Sequence, residues 1–160
     1  MKKLFYFTTA LFLLASCDKK NYDPFYYDFD TKVGLEIKDK TGRDLLEADL
    51  VIEKITQSGN NDGGKAPTAG RLTPDVPPFD EFSIEKKGIS NILGLTFKPI
   101  YRNSFIVIQW KELVKTDTLM AELYNEKNKV FPSKIYWNGN LIWTEGRQQD
   151  RSSINIEKEI

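Results

Sequence analysis

The chain has 160 residues, with 23 basic and 23 acidic side chains, one cysteine and no histidine. This length suits one domain with a hydrophobic core, and the balanced charge gives no sign of the basic patch that nucleic-acid binding requires. The absence of histidine removes the commonest metal ligand and general base and excludes a Ser-His-Asp triad, so the sequence predicts no catalytic residue, metal or cofactor.

The first seventeen residues have the composition of an export signal. Lys2 and Lys3 precede an apolar run over residues 4–14. This order of a basic start, a short apolar stretch and small residues predicts a helical signal peptide over residues 1–16. The run is too short to span a bilayer, which takes roughly 20 residues. The segment ends with Leu14, Ala15, Ser16 and Cys17.

These last four residues resemble the lipobox of bacterial lipoproteins. The resemblance implies cleavage before Cys17 and attachment of lipid to its sulfur and its amine. An ordinary signal peptide is the alternative, but it would leave a free thiol at the start of an exported chain. Two or more acyl chains give stable anchoring, so we expect the mature chain to be anchored to a membrane and not to span it. Removing Lys2 and Lys3 leaves 21 basic against 23 acidic residues, a net charge of −2.

Residues 17–30 are predicted to be the lipidated cysteine and its tether. The first part is charged, and the second part is rich in aromatic residues, including Tyr26 and Tyr27. These aromatic side chains either dock on the domain, begin its first strand or form a partner-binding strip. A calcium site through Asp23, Asp28 and Asp30 is disfavoured, because these carboxylates lack the EF-hand spacing and its glycine.

The rest of the chain, residues 31–160, is predicted to be one all-β domain. The most apolar run, residues 105–110, predicts a central strand that is buried on both faces. Residues 57–78 contain many glycine, proline and asparagine residues and predict a long flexible surface loop. Alternating or β-branched apolar residues predict further strands at residues 31–38, 50–55, 79–86, 89–97, 118–124 and 153–160.

Asn138-Gly139 gives the clearest local signal, because this pair between alternating runs indicates a two-residue hairpin turn. A regular hairpin places Tyr136 opposite Leu141 and Lys134 opposite Trp143, with all four side chains on one face. Trp143 then lies near the open end of the hairpin, where we expect it to be exposed. Trp143, Tyr136, Tyr26 and Tyr27 are therefore the predicted partner-binding residues.

Seven to nine short strands with frequent turns, and no convincing helix after residue 17, are typical of a β-sandwich. The lipobox, a glycine turn into Asp44-Leu45-Leu46, Asp117-Thr118-Leu119 and residues 134–139 together resemble small lipoproteins of Bacteroidota. This resemblance implies an immunoglobulin-like antiparallel β-sandwich and an outer-membrane location. Surface export in that group is linked to an acidic stretch after the cysteine, whereas Lys19 and Lys20 follow here, so the side of the membrane stays open.

Three functions are compatible with this sequence. The first is a non-enzymatic envelope lipoprotein that binds a protein or glycan partner, with the membrane bound through lipid on Cys17. The second is a structural or assembly subunit, an adhesin or pilus accessory protein, that acts by strand pairing. The third, a glycosidase with two carboxylates, rests only on residues such as Glu112 that are expected to be solvated charges.

Overall fold

The computed structural model describes residues 28–47, 50–63, 82–111, 113–146 and 149–160. No helix in these ranges is long and apolar enough to cross a bilayer. The lipobox, Cys17, Tyr26 and Tyr27 lie outside them, as does most of the predicted loop. The strands are β1 (Asp28–Phe29), β2 (Lys32–Lys38), β3 (Ile52–Asn60), β4 (Phe82–Lys87), β5 (Ser90–Thr96), β6 (Asn103–Trp110), β7 (Asp117–Glu126), β8 (Lys129–Trp137), β9 (Asn140–Thr144) and β10 (Ile154–Glu157).

The strands form two sheets, which confirms the all-β prediction. The six-stranded sheet has the order β1-β8-β7-β6-β3, with β9 also paired to β8, and the four-stranded sheet has the order β10-β2-β5-β4. One buried apolar cluster contains side chains from both sheets, including Leu35 and Leu93 of one and Ile106, Leu119 and Ile135 of the other. The architecture is therefore β-sandwich-like, with the core between two facing sheets.

The prediction of wholly antiparallel sheets was wrong. β1 pairs parallel with β8, and β10 pairs parallel with β2. Both are short terminal strands added at a sheet edge, where no hairpin turn sets the strand direction. Within the described residues, the two-residue β1 also raises the number of strands to ten, above the predicted seven to nine.

The most apolar strand, β6, is buried on one face only. Ile106, Ile108 and Trp110 are fully buried, whereas Phe105 and Val107 are half-buried on the opposite face. The prediction of burial on both faces was wrong because β6 lies in a two-layer structure, where one side of each sheet faces outward. This outward side holds the candidate site described below.

The predicted boundaries of loop and tether also change. Residues 57–60 belong to β3 and pair with β6, although Gly59 suggested a loop. The ring of Tyr101 packs where a Cβ of Gly59 would lie, so this glycine admits an aromatic ring and does not end the strand. At the other boundary, residues 28–30 belong to the domain, because β1 pairs with β8 and Asp30 forms ion pairs with Lys129 and Arg151.

A buried polar cluster ties the C-terminal segment to the six-stranded sheet. The carboxylate of Asp117 accepts hydrogen bonds from Trp110 Nε1 at 2.7 Å, Asn138 Nδ2 at 2.8 Å and Lys158 Nζ at 2.7 Å. The side chains of Asp117 and Lys158 are 6% and 9% exposed. A charge pair this buried holds the chain after β10 against the start of β7, since either charge alone would be costly to bury.

Candidate functional site

The hairpin of β8 and β9 turns at Asn138-Gly139, as predicted, with φ angles of 49° and 82°. The register begins as expected, with Tyr136 opposite Leu141, but Ile135 then lies opposite Trp143. Ile142 is therefore an extra residue in β9, and this irregularity moves every later side chain of the strand to the other face.

Trp143 is consequently buried, and the prediction that it is exposed was wrong. Its exposed fraction is 7%, and it belongs to the core cluster beside Ile135. The indole Nε1 donates a hydrogen bond to the Gln149 carbonyl at 3.0 Å, and the Arg151 guanidinium lies 5.8 Å from the ring centroid. These contacts give Trp143 a role in packing the domain and leave little of its surface exposed.

Tyr136 stays on the outward face and is half-buried there. It stands in a line of apolar side chains that crosses four adjacent strands, because Phe105 of β6 pairs with Met120 of β7, Met120 with Tyr136 of β8, and Tyr136 with Leu141 of β9. Phe105 and Met120 are half-buried and Leu141 is 44% exposed. We call Phe105, Met120, Tyr136 and Leu141 the apolar row.

A second line of side chains runs beside the first on β6, β7 and β8, two residues away on each of these strands, and continues onto β3. Asn60, Asn103, Glu122 and Lys134 are directly paired across β3, β6, β7 and β8. Asn103 Nδ2 donates to Asn60 Oδ1 at 2.9 Å, and Lys134 Nζ lies 3.1 Å from Glu122 Oε2. We call these four residues the polar row.

The two rows are joined at Tyr136. Its hydroxyl donates to Glu122 Oε1 at 2.8 Å, and this carboxylate also accepts from Lys134. Burial opposes ionisation of Glu122, but the hydrogen bonds from Tyr136 and Lys134 outweigh it and lower the pKa of Glu122 below its usual value. The hydrogen bond to Glu122 raises the pKa of Tyr136, with burial as the second cause, and raises the pKa of Lys134. At neutral pH the hydroxyl is therefore protonated, and its donor is directed to the carboxylate.

An aromatic pair lies beyond the polar row, on the side away from the apolar row. Tyr124 of β7 is opposite Phe131 of β8, and the Arg102 guanidinium lies 4.4 Å from the Tyr124 ring centroid. Arg102 Nη2 also donates to the Tyr124 hydroxyl at 2.7 Å. The outward face therefore alternates between apolar and polar lines of side chains.

Of the two predicted partner-binding residues that the structure describes, Tyr136 lies on this face and Trp143 does not. Phe105, Met120 and Glu122 were not predicted from the sequence to be functional residues. The alternation of residues 103–110 and 118–122 contained the signal, but it becomes readable only when each strand is known to have one outward face.

A groove of about 460 Å³ lies on the outer face of the other sheet. Gly34 and Gly94 face each other at its floor, across β2 and β5. The space above Gly94 is occupied by the Ser83 hydroxyl and the Lys32 side chain, and the backbone of Ser152 lies against Gly34. Lys32 also pairs with Glu85 at 3.3 Å. The chain's own atoms thus occupy the space above both glycines.

No cluster of three His, Cys, Asp or Glu side chains suited to a metal ion occurs among the described residues. Asp30, one of the three carboxylates considered for calcium, is engaged by Lys129 and Arg151. Comparison of the chain with protein-family models, curated proteins and solved structures finds no match.

Proposed function

We propose that the protein is a lipid-anchored lipoprotein of the bacterial envelope, held in the outer membrane through Cys17, and that it acts as a non-enzymatic binding module. The lipobox-like segment Leu14-Ala15-Ser16-Cys17 supports the anchor. The lack of histidine, with the one cysteine assigned to lipid, supports binding over catalysis.

We also propose that the domain is immunoglobulin-like. Immunoglobulin domains place strands A, B, E and D in one sheet and C, F and G in the other. The neighbours β2-β5-β4 correspond in chain order to B-E-D, and β3-β6-β7 correspond to C-F-G. β10 takes the place of strand A beside β2, and β8 and β9 extend the second sheet. This correspondence supports the proposal but carries no function of its own.

The observation that carries the binding function is the apolar row. Four apolar side chains in line on the outward face of a sheet, one of them Tyr136 with a fixed hydroxyl, form the kind of partly apolar surface that interfaces use. Apolar residues scattered singly over a surface need no such explanation. The partner-facing surface is accordingly the outward face of β6 to β9.

The anchor is tested by the intact mass of the protein extracted from native membranes. We expect a product cleaved before Cys17 that carries acyl chains, and we expect Cys17→Ser to leave the membrane fraction. Lys20→Ala, which keeps the lipobox-like segment, is the matched control and should stay in the membrane. An unacylated native product would overturn the proposed anchor.

Strand pairing in an assembly is the second candidate, and one observation favours it. β4 is the terminal strand of its sheet within the described residues, and Phe82 and Ile84 are 44% and 45% exposed although they share a face with buried Leu95 and Leu93. An added strand would cover them and pair with this edge of β4. In that case Ile84→Lys should abolish assembly and Tyr136→Ala should leave it intact, whereas partner binding through the apolar row predicts the reverse.

A further inference from the structure

Resting on the proposed function, we propose that the apolar row and the polar row together bind a neutral glycan chain that lies across strands β6 to β9. The two rows run side by side over β6, β7 and β8, where one is apolar and the other polar. Crossing four strands takes three steps of about 4.8 Å, so the apolar row is about 14 Å long. This length suits an oligosaccharide better than a single sugar.

Sugar rings are themselves two-sided, and this is the property that the two rows match. One side of a pyranose ring presents C–H groups, which pack on an aromatic or apolar side chain, while its hydroxyls project from the rim. On this surface the Tyr136 ring and its apolar neighbours can take the C–H side. The amide of Asn103 and the charged groups of Glu122 and Lys134, two residues away on β6, β7 and β8, can then exchange hydrogen bonds with the hydroxyls.

The charges of the polar row indicate a neutral ligand. Glu122 is paired with Lys134, and Asn103 is hydrogen-bonded to Asn60, so the row carries no net charge. A polyanion would meet the Glu122 carboxylate, and a polycation would meet the Lys134 ammonium. Uncharged hydroxyls both donate and accept, so they can bind to either group without separating the pair.

The surface is also organised before binding. Glu122 holds the Tyr136 hydroxyl at 2.8 Å and is itself held by Lys134. A half-buried ring fixed in this way loses little conformational freedom when a ligand packs on it. Tyr136 is therefore the main contact, with Leu141 extending the apolar row at its exposed end.

The purified mature domain is tested on a glycan array that contains neutral hexasaccharides of glucose, mannose, xylose and galactose beside uronic-acid hexasaccharides. We expect binding to one or more neutral chains. We expect a loss of at least tenfold in Tyr136→Ala, a smaller loss in Tyr136→Phe because the ring remains, and a loss in Leu141→Asp. Ile84→Ala, on the other sheet, is the matched control and should bind like the wild type. Melting curves show which variants are folded, and Leu141→Asp changes a side chain that is already exposed.

Two results would overturn the glycan proposal. One is the absence of binding to every neutral chain, and the other is binding that Tyr136→Ala and Leu141→Asp leave unchanged. Failure of the glycan proposal and failure of the proposed function are distinguishable. A cysteine introduced at Leu141 can be labelled with a maleimide in native envelopes, and its protection there reports a bound partner without any added glycan. Protection without glycan binding would keep a binding module and assign it a protein partner.

Discussion

Trp143→Ala gives a direct test of the irregular hairpin, because the regular and the observed registers predict opposite results. In the observed register the indole is 7% exposed, packs in the core and donates to Gln149. Truncation of a buried tryptophan to alanine costs about 3–5 kcal/mol. For a domain of this size, each kcal/mol lowers the melting temperature by roughly 3 °C, so the expected decrease is about 9–15 °C.

Leu141→Ala is the matched control, since Leu141 lies on the same short strand but faces outward at 44% exposure. Its expected cost is below about 1 kcal/mol, as for most surface substitutions. Chemical denaturation of both variants gives the two free energies of unfolding. A cost below about 1 kcal/mol for Trp143→Ala would refute the irregularity at Ile142, because it would place Trp143 on the outward face.

Three further predictions concern other parts of the domain. Asp117→Asn should lower the free energy of unfolding in denaturant by about 3–5 kcal/mol, because it leaves the buried Lys158 ammonium without its counter-charge. Adding Lys158→Met should recover most of this lost stability. Equal losses of stability in the single and the double variant would contradict the pairing. Gly59→Ala should cost about 1–3 kcal/mol by overlapping the Tyr101 ring, and the cost should fall in a Tyr101→Ala background, whereas an unchanged cost would show that the ring is not the obstacle. The folded-state pKa of Glu122 lies below its ordinary value, so its contribution to stability is present above the ordinary pKa and is lost as the pH falls through the lowered one. The free energy of unfolding of Glu122→Gln should therefore be lower than that of the wild type at pH 6 and converge with it in stronger acid. A difference that persists there would contradict the lowered pKa.

The sequence was sufficient to predict the strands and the turn. It was not sufficient to predict which face the side chains of a strand occupy after an irregularity. Asn138-Gly139 predicted the hairpin because both residues adopt positive φ readily. It could not predict the extra residue at Ile142, which depends on fitting the Trp143 indole into the core between the sheets. One inserted residue was enough to exchange the faces of Trp143 and its neighbours.

Contacts between distant segments were equally beyond local reading. The pairing of Asp117 with Lys158 joins residues 41 positions apart, and neither position has a local pattern that indicates burial. Gly59 read as a loop residue because a single sequence does not reveal that Tyr101 packs against it. The apolar row likewise needed the register of four strands, since each strand contributes only one of its residues.

The most direct test of the outward face as the partner-binding surface is thiol labelling in native envelopes. The only natural cysteine is Cys17, which the proposed lipid blocks, so an introduced cysteine is the single reactive thiol. Leu141→Cys places this thiol on the apolar row, and Ile84→Cys places it on the other sheet. The two wild-type side chains are nearly equally exposed, Leu141 at 44% and Ile84 at 45%. We predict that Leu141→Cys reacts with a maleimide in the purified protein but is protected in envelopes, while Ile84→Cys reacts equally in both. Equal labelling of Leu141→Cys in the two preparations would contradict the account.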